Sequence, residues 1–242
     1  MIEQCSKMAK LAGIAYLDEK PAKPKYKKLG YAGHNFIEND GAQCHAIWND
    51  EEIVLCFRGT EPNEFSDILA DLNAWPDKAK VGGRVHNGFQ NELEKIWEDI
   101  IEILELNKDK ELYITGHSLG GAMATIAASR LKDEIEALYT YGSPRVGTRK
   151  FVKSFSNVEH YRHVNNNDVV TSIPLAFMGY VHHRPPRYIN FHGHIRPFTT
   201  WQRLKDKWRG RLASIKQWKP FDGASDHGMN FYVEYTEKNK NV

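Results

Sequence analysis

The chain has 242 residues, of which 41% are hydrophobic, 12% aromatic and 26% charged, and a formal net charge of +2. That composition excludes disorder and coiled coil, and the length suffices to bury one large core or two small ones. No stretch approaches the roughly 18 apolar residues of a membrane-spanning helix, and a total charge so near zero points by itself to no polyanionic partner.

In chain order, apolar residues near helical spacing (Met8, Leu11, Ala12, Ala15) predict a helix over Ile2–Leu17, followed by a lysine-rich loop carrying Pro21 and Pro24. Cys44–Trp48 and Ile53–Phe57 read as strands of a hairpin joined by Asn49-Asp50-Glu51. A helix is expected from Phe89 to about Leu106, then a short strand Leu112–Thr115, a small-residue helix Leu119–Leu131, strands Ala137–Tyr141 and Tyr161–Val164, and a last helix Met229–Tyr235. Strands interleaved with helices predict α/β layering around a mostly parallel central sheet flanked by helices. With no internal repeat, residues 1–242 are read as a single domain.

The start, Met1-Ile2-Glu3-Gln4-Cys5-Ser6-Lys7, lacks the basic-then-apolar layout of a secretory signal. The expectation is a cytoplasmic or peripheral membrane protein, although the trimmed mature form of a secreted one would read the same. Cys5, Cys44 and Cys56 are an odd, sparse set that suits a reducing compartment, with Cys56 expected in the core and the other two incidental.

Chemistry enters at Gly116-His117-Ser118-Leu119-Gly120-Gly121, a Gly-x-Ser-x-Gly elbow with a strand before it and a helix after it. A side chain at 116 or 120 would collide with neighbouring backbone, and Ser118 opens a helix whose unpaired N–H groups favour developing negative charge. A serine hydroxyl needs a base, and the base an orienting acid, in the chain order Ser, acid, His. Downstream acids include Asp133, Glu134, Glu136, Glu159, Asp168, Asp206, Asp222 and Asp226; Asp168 is preferred because it follows a strand and an Asn165-Asn166-Asn167 turn at the sheet edge where sites collect. Among His182, His183, His192, His194 and His227, the first four crowd a Pro/Arg-rich stretch that reads as an exposed hairpin. His227 instead lies in a flexible loop before the final helix. His86 and His117 do not fit the order. No carboxylate or cysteine completes a metal-ligand set around the four clustered histidines, so neither metal nor cofactor is expected.

The chain resembles the class 3 lipases, the α/β-hydrolase group that includes the filamentous-fungal lipases. The resemblance is carried by Phe57-Arg58-Gly59-Thr60, Ala70-Asp71-Leu72, Val85-His86-Asn87-Gly88-Phe89, the serine elbow, Tyr141-Gly142-Ser143-Pro144-Arg145-Val146-Gly147, Asn167-Asp168-Val169-Val170 and Asp226-His227. It implies an α/β-hydrolase fold and the triad Ser118, Asp168 and His227, in agreement with the choice from order and context. It further implies an oxyanion hole formed by the backbone N–H of Thr60, with its hydroxyl, and the backbone N–H of Leu119. Residues 61–69 would form a short lid, with Phe65, Ile68 and Leu69 at i, i+3, i+4 as its apolar stripe.

One feature departs from the fungal pattern. Between His182 and Pro220 ten Lys/Arg face a single acid, Asp206, so the rest of the chain is net negative. Within that block Trp201, Leu204, Trp208, Leu212, Ile215 and Trp218 follow helical spacing, a basic amphipathic insertion over 201–219 suited to an anionic membrane surface. No nucleic-acid motif accompanies the charge, and no nucleic-acid partner is expected. The expected activity is hydrolysis of carboxylic esters of lipids, triacylglycerol or shorter acylglycerols first, with phospholipase A1 or small-ester carboxylesterase as competitors and a non-catalytic lipase-like interaction module as the rival outside enzymology.

Overall fold

The computed structural model describes residues 2–60, 76–195, 202 and 226–240. Its elements are α1 (Ile2–Ile14), α2 (Glu19–Lys28), β1 (Gly33–Asn39), β2 (Ala42–Trp48), β3 (Glu52–Phe57), β4 (Pro76–Lys78), β5 (Arg84–His86), α3 (Asn87–Glu94), α4 (Trp97–Glu105), β6 (Glu111–His117), α5 (Leu119–Arg130), β7 (Ile135–Tyr141), β8 (Gly147–Thr148), α6 (Arg149–Lys153), β9 (His160–Asn165), β10 (Tyr180–Val181), β11 (Arg187–Ile189) and α7 (Met229–Lys238). The main sheet runs β1-β2-β3-β6-β7-β9-β11 and the smaller one β10-β8-β5-β4. In the main sheet β1, β2 and β3 pair antiparallel, and every pairing from β3 through β6, β7 and β9 to β11 is parallel. This is the mostly parallel sheet flanked by helices that the strand–helix alternation predicts.

The alternation of side chains along each strand divides the core into two layers. Ile53, Leu55 and Phe57 of β3 join Leu112 and Ile114 of β6 and Leu138 of β7 on the face covered by α3, α4 and α5. Val54, Cys56, Ala137, Tyr139 and Tyr141 face the other way, onto α1, α2 and α7. Helix α5 is buried along Leu119–Ser129 because its Gly, Ala, Ser and Thr residues let its backbone settle directly against the sheet. All three cysteines are buried and free, so Cys5 and Cys44 belong to the interior as much as Cys56 does.

Several elements differ from expectation. The lysine-rich segment after α1 is helix α2 and not a loop, with Pro24 inside it and Ala22 and Tyr26 buried on its inner face; packing of that face offsets the backbone hydrogen bond that Pro24 cannot donate. The helix expected over Phe89–Leu106 is two helices, because Ile96 leaves helical geometry (φ −121°, ψ 5°) while burying its side chain between them. The histidine-rich stretch is not an exposed hairpin. There β10 pairs with β8, and β11 extends the main sheet; the His182 Nε2–H donates to the Thr171 carbonyl at 2.8 Å, and His183 stacks on Phe155 with centroids 4.1 Å apart.

Buried histidines couple this fold to pH. Burial lowers His45, His86 and His183 from the ordinary 6.5 to about 4, and His163 to about 3. The unfolded chain takes up protons at these positions below pH 6.5 while the folded chain stays neutral until about pH 4. Their contribution to stability is therefore complete above pH 6.5 and is lost as pH falls, by up to about 1.4 kcal/mol per pH unit for each group. Urea midpoints are expected to drop markedly between pH 7 and pH 5, and an equal or higher midpoint at pH 5 would refute this source of acid sensitivity. Among the described residues no helix is long and apolar enough to cross a membrane.

Candidate active site

The parallel order of β3, β6, β7 and β9 brings four strand ends to one edge, and the candidate residues collect there. Ser118 lies between β6 and α5 with φ 56° and ψ −128°, one of two non-glycine residues with positive φ among those described. A conformation of this kind costs about 1–3 kcal/mol and persists only where the surroundings enforce it. Here they do: a Cβ on Gly120 would stand 2.3 Å from the Phe57 carbonyl oxygen, and one on Gly116 would stand 2.4 Å from the Gly120 carbonyl oxygen. The Ser118 N–H donates to the Tyr141 carbonyl at 3.1 Å, tying the elbow to the neighbouring strand end.

Asp168 and His227 arrive from opposite directions. The turn after β9 carries Asp168, whose N–H donates to the Asn165 carbonyl at 2.8 Å. The residues before α7 carry His227. Its Nδ1–H lies 3.0 Å from both carboxylate oxygens of Asp168, and its Nε2 lies 2.8 Å from Ser118 Oγ. A proton on Nδ1, held by the carboxylate, leaves Nε2 as the acceptor of the Ser118 hydroxyl proton. Ser118, Asp168 and His227 are all at most 2% exposed, so this chain of hydrogen bonds is shielded from competing water. Gly142, at φ 58°, makes room for it: a Cβ there would meet Asp168 Oδ2 at 2.8 Å and His227 Nδ1 at 2.9 Å.

Three donors converge on the Asp168 carboxylate. Besides His227, the Val170 N–H donates to Oδ1 at 2.9 Å and the Tyr232 hydroxyl to Oδ2 at 2.6 Å. Burial and the adjacent carboxylate push Tyr232 well above the ordinary tyrosine range, so it remains a donor, and it accepts the Asn165 N–H at 3.0 Å. Sequence reasoning missed Tyr232, which reads only as one more aromatic residue of the last helix. It also passed over the anchors of the histidine loop, where Asn165 Nδ2 donates to the Asp226 carbonyl at 2.9 Å and the Asn167 N–H to Asp226 Oδ2 at 3.1 Å.

Thr60 and Leu119 both line a recess of about 180 Å³, together with Gly59, Arg58 and Met123. Phe65, Ile68 and Leu69, and every residue of the stripe Trp201, Leu204, Trp208, Leu212, Ile215 and Trp218, lie outside the described residues. Among the described residues no three His, Cys, Asp or Glu side chains cluster as metal ligands would.

A parallel-sheet α/β architecture with a strained serine between strand and helix, hydrogen-bonded to histidine and aspartate in that order, defines an α/β-hydrolase. The family model for Lipase (class 3) matches residues 54–178, more than half of the chain, and the chain belongs to that family. It is 33% identical over 197 residues to Toxin TseL of Vibrio cholerae, a match covering 63% of this chain and 31% of the toxin. It is 38% identical over 156 residues to secreted mono- and diacylglycerol lipase A of Penicillium camembertii, covering 57% and 48%. The chain thus spans less than half the length of these curated relatives. Among solved structures, lipase II from Rhizopus niveus superposes with a TM-score of 0.64 at 26% identity, covering 78% of this chain and 80% of that one. The triacylglyceride lipase of Rhizomucor miehei superposes with the same score at 23% identity, covering 78% and 80%, a likeness of fold.

Proposed function

We propose that the chain, acting as one α/β-hydrolase unit, is a serine ester hydrolase cleaving carboxylic esters of lipids, triacylglycerol or shorter acylglycerols first. The observation that carries this reading is the continuous hydrogen-bond chain Ser118–His227–Asp168 at 2.8 and 3.0 Å. His227 Nε2 takes the Ser118 proton as Oγ attacks the ester carbonyl. Asp168 holds the Nδ1–H tautomer and stabilises the imidazolium. The negative charge on the former carbonyl oxygen is received by the backbone N–H groups of Thr60 and Leu119, the former with its hydroxyl, each worth roughly 3 kcal/mol of barrier. The intermediate collapses, His227 Nε2–H protonates the departing alcohol, and the acyl group stays on Ser118. Water, deprotonated by His227, then attacks the acyl carbon, and His227 Nε2–H returns the proton to Ser118 Oγ as the acyl–Oγ bond breaks and the acid leaves.

The acylglycerol choice is supported by the Penicillium relative, named for mono- and diacylglycerols. A panel of p-nitrophenyl butyrate, p-nitrophenyl palmitate, trioleoylglycerol and phosphatidylcholine tests it. Acylglycerol cleavage is expected to exceed phosphatidylcholine cleavage. Turnover confined to phosphatidylcholine, with release of the sn-1 acyl chain, would make the protein a phospholipase A1, and turnover confined to the butyrate a small-ester carboxylesterase.

The proposed place of action is a membrane surface on the cytoplasmic side, supported by the basic, tryptophan-bearing spacing of 201–219 and by three free cysteines. The protein is expected to sediment with anionic vesicles and to lose that on neutralising Lys205, Lys207, Arg209 and Arg211. Equal sedimentation of the two forms would count against this role.

A further inference from the structure

The histidine preceding the nucleophile has a place in the same network that chain order alone does not assign. His117 is 1% exposed, and its ring stacks on that of His227 with centroids 4.5 Å apart and planes at 30°. Its Nε2 lies 2.7 Å from the His227 carbonyl oxygen, and its Nδ1 lies 2.6 Å from the Tyr16 hydroxyl. A carbonyl only accepts, so Nε2 carries the proton, and Nδ1 must then accept from Tyr16. The alternative tautomer would set a lone pair against the His227 carbonyl oxygen. Burial and the neighbouring His227 hold His117 well below the ordinary histidine range, which keeps the ring neutral and Nδ1 available to Tyr16.

Tyr16 also approaches the other side of the site: a Cβ on Gly59 would stand 2.4 Å from the Tyr16 hydroxyl and 3.1 Å from Ser118 Cβ. One hydroxyl, delivered just past the end of α1, therefore sits against the segment leading to Thr60 and donates to Nδ1 of the side chain that holds the base. From these contacts we infer that Tyr16 and His117 are positioning residues of the hydrolysis, a clamp in which Tyr16 anchors the His117 ring through Nδ1 and His117, through its Nε2–H, locks the His227 backbone to the residue next to the nucleophile. The inference rests on His227 being the base, as proposed above. Neither side chain makes the hydrogen bond that transfers the Ser118 proton, which runs to His227 Nε2; they act through where His227 is held.

Misplacing a catalytic group by about an ångström lowers rates by roughly 100-fold. Tyr16→Phe and His117→Leu are accordingly expected to lower kcat for p-nitrophenyl butyrate by about 10- to 100-fold with KM little changed. His117→Gln, which keeps a donor facing the His227 carbonyl, should recover most of the loss. In a His227→Ala background, Tyr16→Phe should have no further effect on residual turnover. Imidazole ¹⁵N shifts of His117 should show the Nε2–H tautomer in both the parent and Tyr16→Phe, with the Nδ1 resonance moved in the variant by loss of the Tyr16 hydrogen bond, a readout independent of turnover. Full activity in Tyr16→Phe, or an equal loss with and without His227, would overturn the clamp while leaving the base in place. Full activity in His227→Ala would overturn the base and the clamp with it. Should the His117 variants fail to fold, Tyr16→Phe and the ¹⁵N shifts decide the matter alone.

Discussion

Ser118→Ala is expected to lower ester hydrolysis by about 10⁴-fold or more, leaving only what substrate binding and the oxyanion donors supply. Among the described residues the hydroxyl hydrogen-bonded to His227 Nε2, at 2.8 Å, is that of Ser118, and the other imidazole nitrogen is engaged with Asp168. Folding should be nearly indifferent to the change. Ser118→Gly goes further: glycine tolerates the φ of 56° that serine is forced into, so this variant should be inactive and more stable, by about 1 kcal/mol. A denaturation midpoint below the parent's for Ser118→Gly would contradict strain at the elbow. Hydrolysis retained by Ser118→Ala would remove Ser118 from the mechanism as its nucleophile.

Asp168→Asn is expected to cost about 10³- to 10⁴-fold in kcat, as loss of the orienting carboxylate does in serine triads. The geometry gives the reason. Three donors, from His227, Val170 and Tyr232, point at this carboxylate, and none of them can accept in return without giving up its own arrangement. An amide offers one accepting oxygen and adds two N–H donors, so at least one donor must face another in a site closed to water. If the amide nitrogen turns to His227, the imidazole moves its proton to Nε2 and can no longer accept from Ser118. If it turns to Tyr232 or Val170, a buried donor loses its partner at a cost of about 1–3 kcal/mol of stability. Lost activity with unchanged stability, or lost activity with lost stability, would each identify which way the amide points. Parent-like activity would show that the acid lies elsewhere.

The elbow was legible because its geometry is written in residue types that sterics demands. Glycines at 116 and 120 are required by backbone oxygens 2.4 and 2.3 Å from any added Cβ, and Gly142 by the Asp168–His227 pair. Asp168 and His227 were legible because the order of catalytic residues and the ends of parallel strands leave few choices. Helix α2 was not, because two prolines outweigh local propensity until Ala22 and Tyr26 find the core. Strand β1 was missed for the opposite reason: it is an edge strand burying only Ile37, so it has almost no apolar signature. Tyr16, His117 and Tyr232 carry no local signal either. Their roles come from contacts between residues 64 to 110 positions apart, which only the folded arrangement creates.

The central claim, covalent ester hydrolysis through Ser118, is tested most directly by treating the protein with a p-nitrophenyl phosphonate ester and locating the adduct by mass spectrometry. One adduct per chain is expected, on Ser118, formed in step with loss of activity and absent from Ser118→Ala. An active protein that forms no adduct, or carries it on another residue, would contradict that claim.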